Sequence, residues 1–412
     1  MNGYGERYMK KIEGGVCAPA GFKANGVHCG IRKNKAKRDL SLIVSDVRCA
    51  AACVYTQNLV KGAPIAVTKE HVKDGYAQAI VCNSGNANTC NADGVEIAEG
   101  MCGLVEKYAH IPAEDVVVAS TGVIGQPLSL EPIESGMGEL VNGLSDLGSL
   151  YAAQGIMTTD TVDKQIAYSF QIGGRECKIG AIGKGVGMIC PNMATMLIFI
   201  TTDAAITPAM LQKALSADVK ESFNMVSVDG DTSTNDMVCV LANGMAGNEP
   251  ISATGKEFNA FRKALSKVTT NLCRRIAKDG EGATKLLECK VTGAKNKAAA
   301  KTVAKSVIKS SLFKAAMFGA DANWGRVLCA IGYAGADVDI SKIDVDFKSR
   351  AGTIAVCRGG SGVPFSEDEA NKVLSQDEIE VLISLGDGNG KAVAWGCDLT
   401  YEYVKINGDY RT

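Results

Sequence analysis

The chain has 412 residues, of which 46% are hydrophobic and 22% charged, and 44 Lys and Arg stand against 45 Asp and Glu for a net charge of −1. That apolar content excludes intrinsic disorder, and the charge balance excludes a global basic field for nucleic acid or an anionic membrane surface. Strictly apolar runs are short, such as Met196–Ile200, too short for a membrane-spanning helix, and the opening MNGYGERYMKKIEGG lacks the apolar core of a secretory signal, so the expected address is the cytoplasm.

The elements are legible in chain order. Val116–Ala119 is a β-branched run, and Gln165–Ile172 and Met196–Thr201 read as further strands. Thr207-Pro208 reads as an N-cap followed by a first-turn proline, opening a helix with Leu211, Leu215, Val219 and Phe223 on one face. Phe258, Phe261, Leu265, Val268, Leu272 and Ile276 form a longer helical stripe that stops at Asp279-Gly280. Residues 296–318 are expected to be helical, with Ala299, Val303, Val307 and Leu312 on the buried face. Glu380–Leu385, a Gly-rich turn at Gly386–Gly390 and Lys391–Trp395 read as a hairpin, and Tyr401–Ile406 as a closing strand. This mixed order predicts an α+β fold with helices covering sheets. No Pro/Gly/Ser-rich linker divides it, so one interlocked unit is expected, with a C-terminal lobe from about residue 285.

The 15 Cys contain no C-x-x-C, the nearest spacing being Cys49 to Cys53, and the three His (His28, His71, His110) have no zinc-site spacing. The cysteines read as small buried thiols in a reducing compartment. The 46 Gly against 9 Pro point to tight turns and close backbone approaches. Asp229, Asp231, Asn235 and Asp236 do not fit an EF-hand loop and read as a turn that organises a site, without metal. Gly386–Lys391 lacks the spacing and the Ser/Thr of a phosphate loop.

The catalytic candidate is Lys184–Thr202. Its Gly-rich loop (Gly183, Gly185, Gly187) leads through Pro191-Asn192 to Ala194-Thr195 and then directly into an apolar strand. A Thr hydroxyl placed this way can attack the preceding carbonyl. Hydrolysis of the resulting ester leaves Thr195 as a new N-terminus whose α-amine, with a reference pKa of about 7.7–8.0, serves as base for its own hydroxyl. Such a site needs no catalytic His. Taken singly, these residues have plainer readings: Thr195 as a strand opener, Thr121-Gly122 as a turn after a strand, Lys184 as an exposed loop lysine and Glu281 as an exposed turn residue.

The stretch resembles the self-cleavage segment of the ornithine acetyltransferases, the bifunctional glutamate N-acetyltransferase/amino-acid acetyltransferases of arginine biosynthesis. The resemblance covers nearly the whole chain: GGVCAPAGFK from Gly14, CNSGNANTCN from Cys82, STGVIG from Ser120, MTTDT from Met157, KGVGMICPNMATML from Lys184, VDGDTSTND from Val228, DANWGRVLCAIGYAG from Asp321 and AWGCDLTYEYVKINGDYRT at the end. Val186 and Cys190 depart mildly from the family pattern.

The resemblance implies a layered αββα-type sandwich of the self-processing N-terminal-nucleophile kind with a smaller C-terminal α/β lobe. It implies cleavage between Ala194 and Thr195 into an α chain, 1–194, and a β chain, 195–412, with Thr195 carrying acetyl as an ester. Thr121 and Gly122 would form the oxyanion hole. Thr161, Lys184, Thr195, Glu281, Asn407 and Thr412 would bind substrate, with Thr158 or Thr159 as alternatives to Thr161. The implied activity is acetyl transfer from N2-acetylornithine to glutamate, with no cofactor or metal, acetyl-CoA as a further candidate co-substrate and an α2β2 assembly. The rivals are an amidase or aminopeptidase of the same self-processing fold and a non-catalytic amino-acid-binding protein.

Overall fold

A computed structural model describes residues 9–188 and 196–409. Among these, two mixed sheets are layered with helices, so the α+β class expected from the sequence holds. The larger sheet has nine strands. Lys10–Ile12, Lys164–Ile172, Arg175–Lys184, Leu197–Thr202, Met237–Ala242, Leu40–Tyr55, Tyr76–Asn86 and Val116–Val123 lie side by side in that order, and Phe22–Val27 also pairs with Leu40–Tyr55. Leu197–Thr202 is central: Leu197 and Phe199 enter one apolar cluster and Ile198 and Ile200 the other, which is why the run is apolar without alternation. The smaller sheet has seven strands in the order Ser361–Gly362, Gly352–Arg358, Asp344–Ser349, Glu378–Ser384, Leu286–Ala294, Gly390–Cys397 and Val226–Ser227.

The helix Lys256–Lys278 packs against strands of both sheets and buries all six residues of its predicted stripe. Pro208–Val219 starts at the N-cap Thr207 as expected and lies on Leu40–Tyr55. Of the described cysteines, all except Cys29, Cys90 and Cys329 are buried, and none is disulfide-bonded. Among the described residues no helix is long and apolar enough to cross a membrane.

Three sequence expectations are corrected. Residues 296–318 form two helices, Lys297–Lys309 and Ser311–Phe318, because the Ser310 side chain caps the second by accepting from Phe313 N–H. The break resets the helical phase, so Phe313 is buried while Leu312 is exposed. Glu378–Ser384 and Gly390–Cys397 are not a hairpin, since Leu286–Ala294 lies between them, parallel to the first and antiparallel to the second. The Gly-rich segment instead crosses the end of that middle strand, where a Cβ on Gly388 would sit 2.5 Å from the Ala294 carbonyl oxygen. Tyr401–Asp409 is a helix rather than a strand. Its Lys405 pairs with Glu402 at 3.4 Å, an i,i+3 contact that a strand could not make.

Candidate active site

Stretches from across the chain converge on a cleft of about 310 Å³. The first wall is the end of Val116–Val123, which pairs in parallel with Tyr76–Asn86. The register shifts at Gly85 and Asn86, opposite Gly122. Gly122 has φ of +136°, and a Cβ there would lie 2.3 Å from the Gly85 carbonyl carbon. Only glycine allows this approach, which brings Thr121 and the Gly122 N–H to the edge of the cleft. Asn235, itself in the cleft lining, ties the wall: its Nδ2 donates to the carbonyls of Ser120 at 3.0 Å and Ala87 at 2.6 Å, and its Oδ1 accepts from Thr89 Oγ1 at 2.7 Å.

The second wall is Thr158-Thr159, held by the buried Asp160. That carboxylate accepts from Thr158 N–H at 3.0 Å, Gly185 N–H at 3.1 Å and Lys164 Nζ at 2.7 Å. Burial would raise the Asp160 carboxyl, but the ammonium groups of Lys164 and Lys184 hold it below the usual carboxylate range. Lys164 is fully buried and also reaches Asp279 at 2.5 Å.

Lys184 ends the strand Arg175–Lys184, opposite Leu197 in register, and its Nζ donates to Thr158 Oγ1 at 3.2 Å. It is 4% exposed, which corrects the plain reading of an exposed loop lysine. Burial pushes its ammonium below the ordinary lysine range, while Asp160, Cys82 and Asp236 act in the opposite direction.

Val186, Gly187, Met188 and Glu281 close the third side. Glu281 N–H donates to the Val186 carbonyl at 2.9 Å, and a Cβ on Gly187 would meet the Glu281 carboxylate at 2.5 Å. Glu281 accepts from Thr159 Oγ1 at 2.8 Å and from Asn407 Nδ2, on the Tyr401–Asp409 helix, at 2.8 Å.

The cleft therefore gathers Thr121, Gly122, Lys184, Glu281 and Asn407 from the sequence-derived set, together with Thr158 and Thr159. Thr161 does not line it: its hydroxyl and N–H are both turned onto Asp279. Ala194, Thr195 and Thr412 lie outside the described residues. Met196, which follows Thr195 in the chain, is described, and its N–H donates to Asp236 Oδ1 at 2.9 Å.

Sequence reasoning missed Asp160, Lys164 and Asp279, the charged cluster beneath the threonine wall. Asp160 stands inside MTTDT, but nothing in the sequence marks Asp279 as the partner of a lysine 115 positions away. Asn235 and Asp236 fall in the organising turn that the sequence marks, but the sequence gives none of their contacts.

This arrangement can hold a small zwitterion. Lys184 offers a cation, Glu281 an anion, Thr158 and Thr159 offer hydroxyls, and the Gly122 N–H with the Thr121 hydroxyl can face an oxyanion. The ArgJ family model matches residues 23–412. The arginine biosynthesis bifunctional protein ArgJ of Symbiobacterium thermophilum is 50% identical over 406 residues, 98% of this chain and 100% of that protein. ArgJ 1 of Clostridium acetobutylicum is 49% identical over 392 residues, 95% and 96% of the two chains. The solved structure of the Bacillus halodurans ArgJ protein is 48% identical with a TM-score of 0.49, covering 52% of this chain and 98% of that one. The chain belongs to the ArgJ family.

Proposed function

We propose that this protein is a glutamate N-acetyltransferase of arginine biosynthesis that moves acetyl from N2-acetylornithine to glutamate through an acetyl-threonine on Thr195. The observation that carries this reading is the convergence of Thr121-Gly122, Thr158-Thr159, Lys184, Glu281 and Asn407 on one small cleft, in a chain whose relatives are named as bifunctional proteins of arginine biosynthesis.

The chain first cuts itself between Ala194 and Thr195, freeing the Thr195 amine. N-acetylornithine then binds with its carboxylate toward Lys184 and an ammonium toward Glu281. Thr195 Oγ attacks the acetyl carbonyl, its proton passes to the Thr195 amine, and Thr121 and Gly122 hold the oxyanion. The proton is delivered to the departing amine, ornithine leaves, and glutamate takes the acetyl group by the reverse sequence. One cleft serves both partners because they share the amino-acid end. Water must be kept out while the ester waits. The cut enzyme assembles as α2β2 in the cytoplasm. Acetyl-CoA, if it serves as a second donor, loads the same hydroxyl.

The test is mass spectrometry of enzyme mixed with N-acetylornithine. The expected result is a second fragment beginning with Thr195 that gains one acetyl group and loses it when glutamate is added. An unmodified fragment, or an uncut chain that still transfers acetyl, refutes the proposal. Ornithine release that glutamate does not accelerate assigns the site to a hydrolase instead.

A further inference from the structure

Lys164 is the buried cation of the cluster that the mechanism above leaves without a task. It opens the strand Lys164–Ile172, and its side chain is fully buried. Its Nζ donates to Asp160 Oδ1 at 2.7 Å, to Asp279 Oδ2 at 2.5 Å and to the Val162 carbonyl at 3.3 Å. An ammonium has three donors, so Lys164 is fully committed. Lys184 is in the opposite state. It is buried in the cleft lining, its Nζ donates to Thr158 Oγ1 at 3.2 Å, and no carboxylate of the described residues lies within 4 Å of it. Two of its three donors have no acceptor among the described residues.

Asp160 is anchored between the two lysines. Its Oδ2 accepts the N–H of Thr158, the residue whose hydroxyl holds Lys184, and its Oδ1 accepts the N–H of Gly185, the residue after Lys184. Both contacts are to backbone, so the carboxylate stays in the neighbourhood of Lys184 whichever lysine it pairs with. The other groups around Lys184 compete less. Burial pushes the Cys82 thiol up to about 12, so it is uncharged. Asp236 has an Oδ1 that accepts the Met196 N–H at 2.9 Å and a buried Oδ2 without a hydrogen bond, and burial disfavours its charged form. Arg32, the other cation near Lys184, donates to the Met157 carbonyl. Asp160 is thus the ionised acid able to take the place of a ligand on Lys184.

We propose that Lys164 is a positioning residue for substrate binding: by holding Asp160 and Asp279 it keeps Asp160 from capturing Lys184 and leaves the Lys184 ammonium for the carboxylate of an amino-acid substrate. This rests on the reading of Lys184 as the partner of that carboxylate. Two carboxylates, that of Asp160 and that of the ligand, compete for one buried ammonium, and molecules with Lys184 on Asp160 are not competent to bind. Lys164 itself touches no ligand and acts through Asp160.

The test is Lys164→Met, with glutamate varied in steady-state acetyl transfer. If Asp160 then holds Lys184 in about nine molecules of ten, apparent affinity falls about tenfold. KM for glutamate is therefore expected to rise about tenfold, with a smaller change in kcat. Adding Asp160→Asn removes the competing carboxylate, and the double variant is expected to recover most of the lost KM. A merely structural role predicts the reverse, because the second substitution also weakens the contacts to Thr158 and Gly185. An unmoved KM in the single variant, or no recovery in the double, overturns the proposal. Removing the cation between two buried acids puts folding at risk, so a crystal structure of the wild-type enzyme with glutamate provides a second reading. A glutamate carboxylate oxygen within about 3.2 Å of Lys184 Nζ, with Lys164 still on Asp160, supports the assignment. Lys184 paired with Asp160 in that structure, or Lys164 detached from it, overturns it. If glutamate binds with its carboxylate away from Lys184, the reading of the site fails and the proposal with it. If the carboxylate is on Lys184 while the double variant does not recover, only the role of Lys164 is lost.

Discussion

Gly122→Ala isolates the contact on which the proposed oxyanion geometry depends. The added Cβ would lie 2.3 Å from the Gly85 carbonyl carbon and 2.5 Å from the Asn86 nitrogen. Both are backbone atoms of the neighbouring strand, so relief requires the strand ends to separate rather than a side chain to turn. Overpacking of this kind costs about 1–3 kcal/mol. The φ of +136° adds strain for any L side chain, about 1–2 kcal/mol. The sum is about 2–5 kcal/mol. The N–H proposed to face the oxyanion moves with the strand, and a displacement of about 1 Å at a reacting centre costs about 100-fold in rate. Gly125→Ala is the internal control. Its φ is +75° but nothing lies within 4 Å of the new Cβ, so it carries the strain without the clash. Urea unfolding and steady-state acetyl transfer on both variants make the comparison. If Gly122→Ala matches Gly125→Ala in midpoint and kcat, the close approach of the two strands is not what holds the site.

Other substitutions probe separate parts of the site and core. Thr158→Val removes the hydroxyl that accepts from Lys184 in the cleft and is expected to lower kcat/KM at least tenfold with little change in unfolding midpoint. Thr161→Val, which loses the hydroxyl contact to Asp279 and keeps the N–H one, is expected to cost about 1 kcal/mol of stability and leave kinetics near wild type. Burial raises the Asp218 carboxyl to about 6, with Ser222, Thr269 and Ser266 as hydroxyl partners. The unfolded chain releases this proton near pH 4 and the folded chain near 6, so stability falls as pH rises across that window and then levels. Asp218→Asn should abolish the fall and gain up to about 3 kcal/mol at pH 7, read by chemical denaturation at several pH values. Asp160 has the opposite sign: its carboxyl lies below the usual range, so its contribution is present above pH 4 and lost on acidification through the lower native value. Asp160→Asn should flatten the acid limb of the stability profile, and an unchanged limb counts against the Lys164–Asp160 pairing.

What was legible in the sequence follows from what periodicity encodes. The stripe from Phe258 to Ile276 repeats with one helical face, and the helix buries all of it. Alternation in Glu380–Leu385 and Lys391–Trp395 reports burial on a pleated face but carries no information about which strand lies alongside, so the intervening Leu286–Ala294 could not be read. Tyr401–Ile406 is too short to separate a period of 2 from one of 3.6. At the site, small residues and glycines in motif order marked the walls, since close backbone approaches tolerate nothing larger. The burial of Lys184 was illegible for a different reason. Lys184 enters the core beside carboxylates from unrelated positions, Asp160 and Asp236, and composition cannot register such a meeting.

Charge within that cluster ties its geometry to its chemistry. Lys164 and Lys184 are two buried ammonium groups; Asp160, Asp279 and Asp236 are three acids within or beside their reach. If all three acids were ionised, the cluster would hold an excess negative charge next to Lys184, the cation proposed to meet a substrate carboxylate. Burial resolves the conflict by disfavouring ionisation of Asp236, the acid with an unbonded oxygen, while Asp160 keeps its charge through its lysine partners. With Asp236 uncharged, two acids face the two lysines of the cluster.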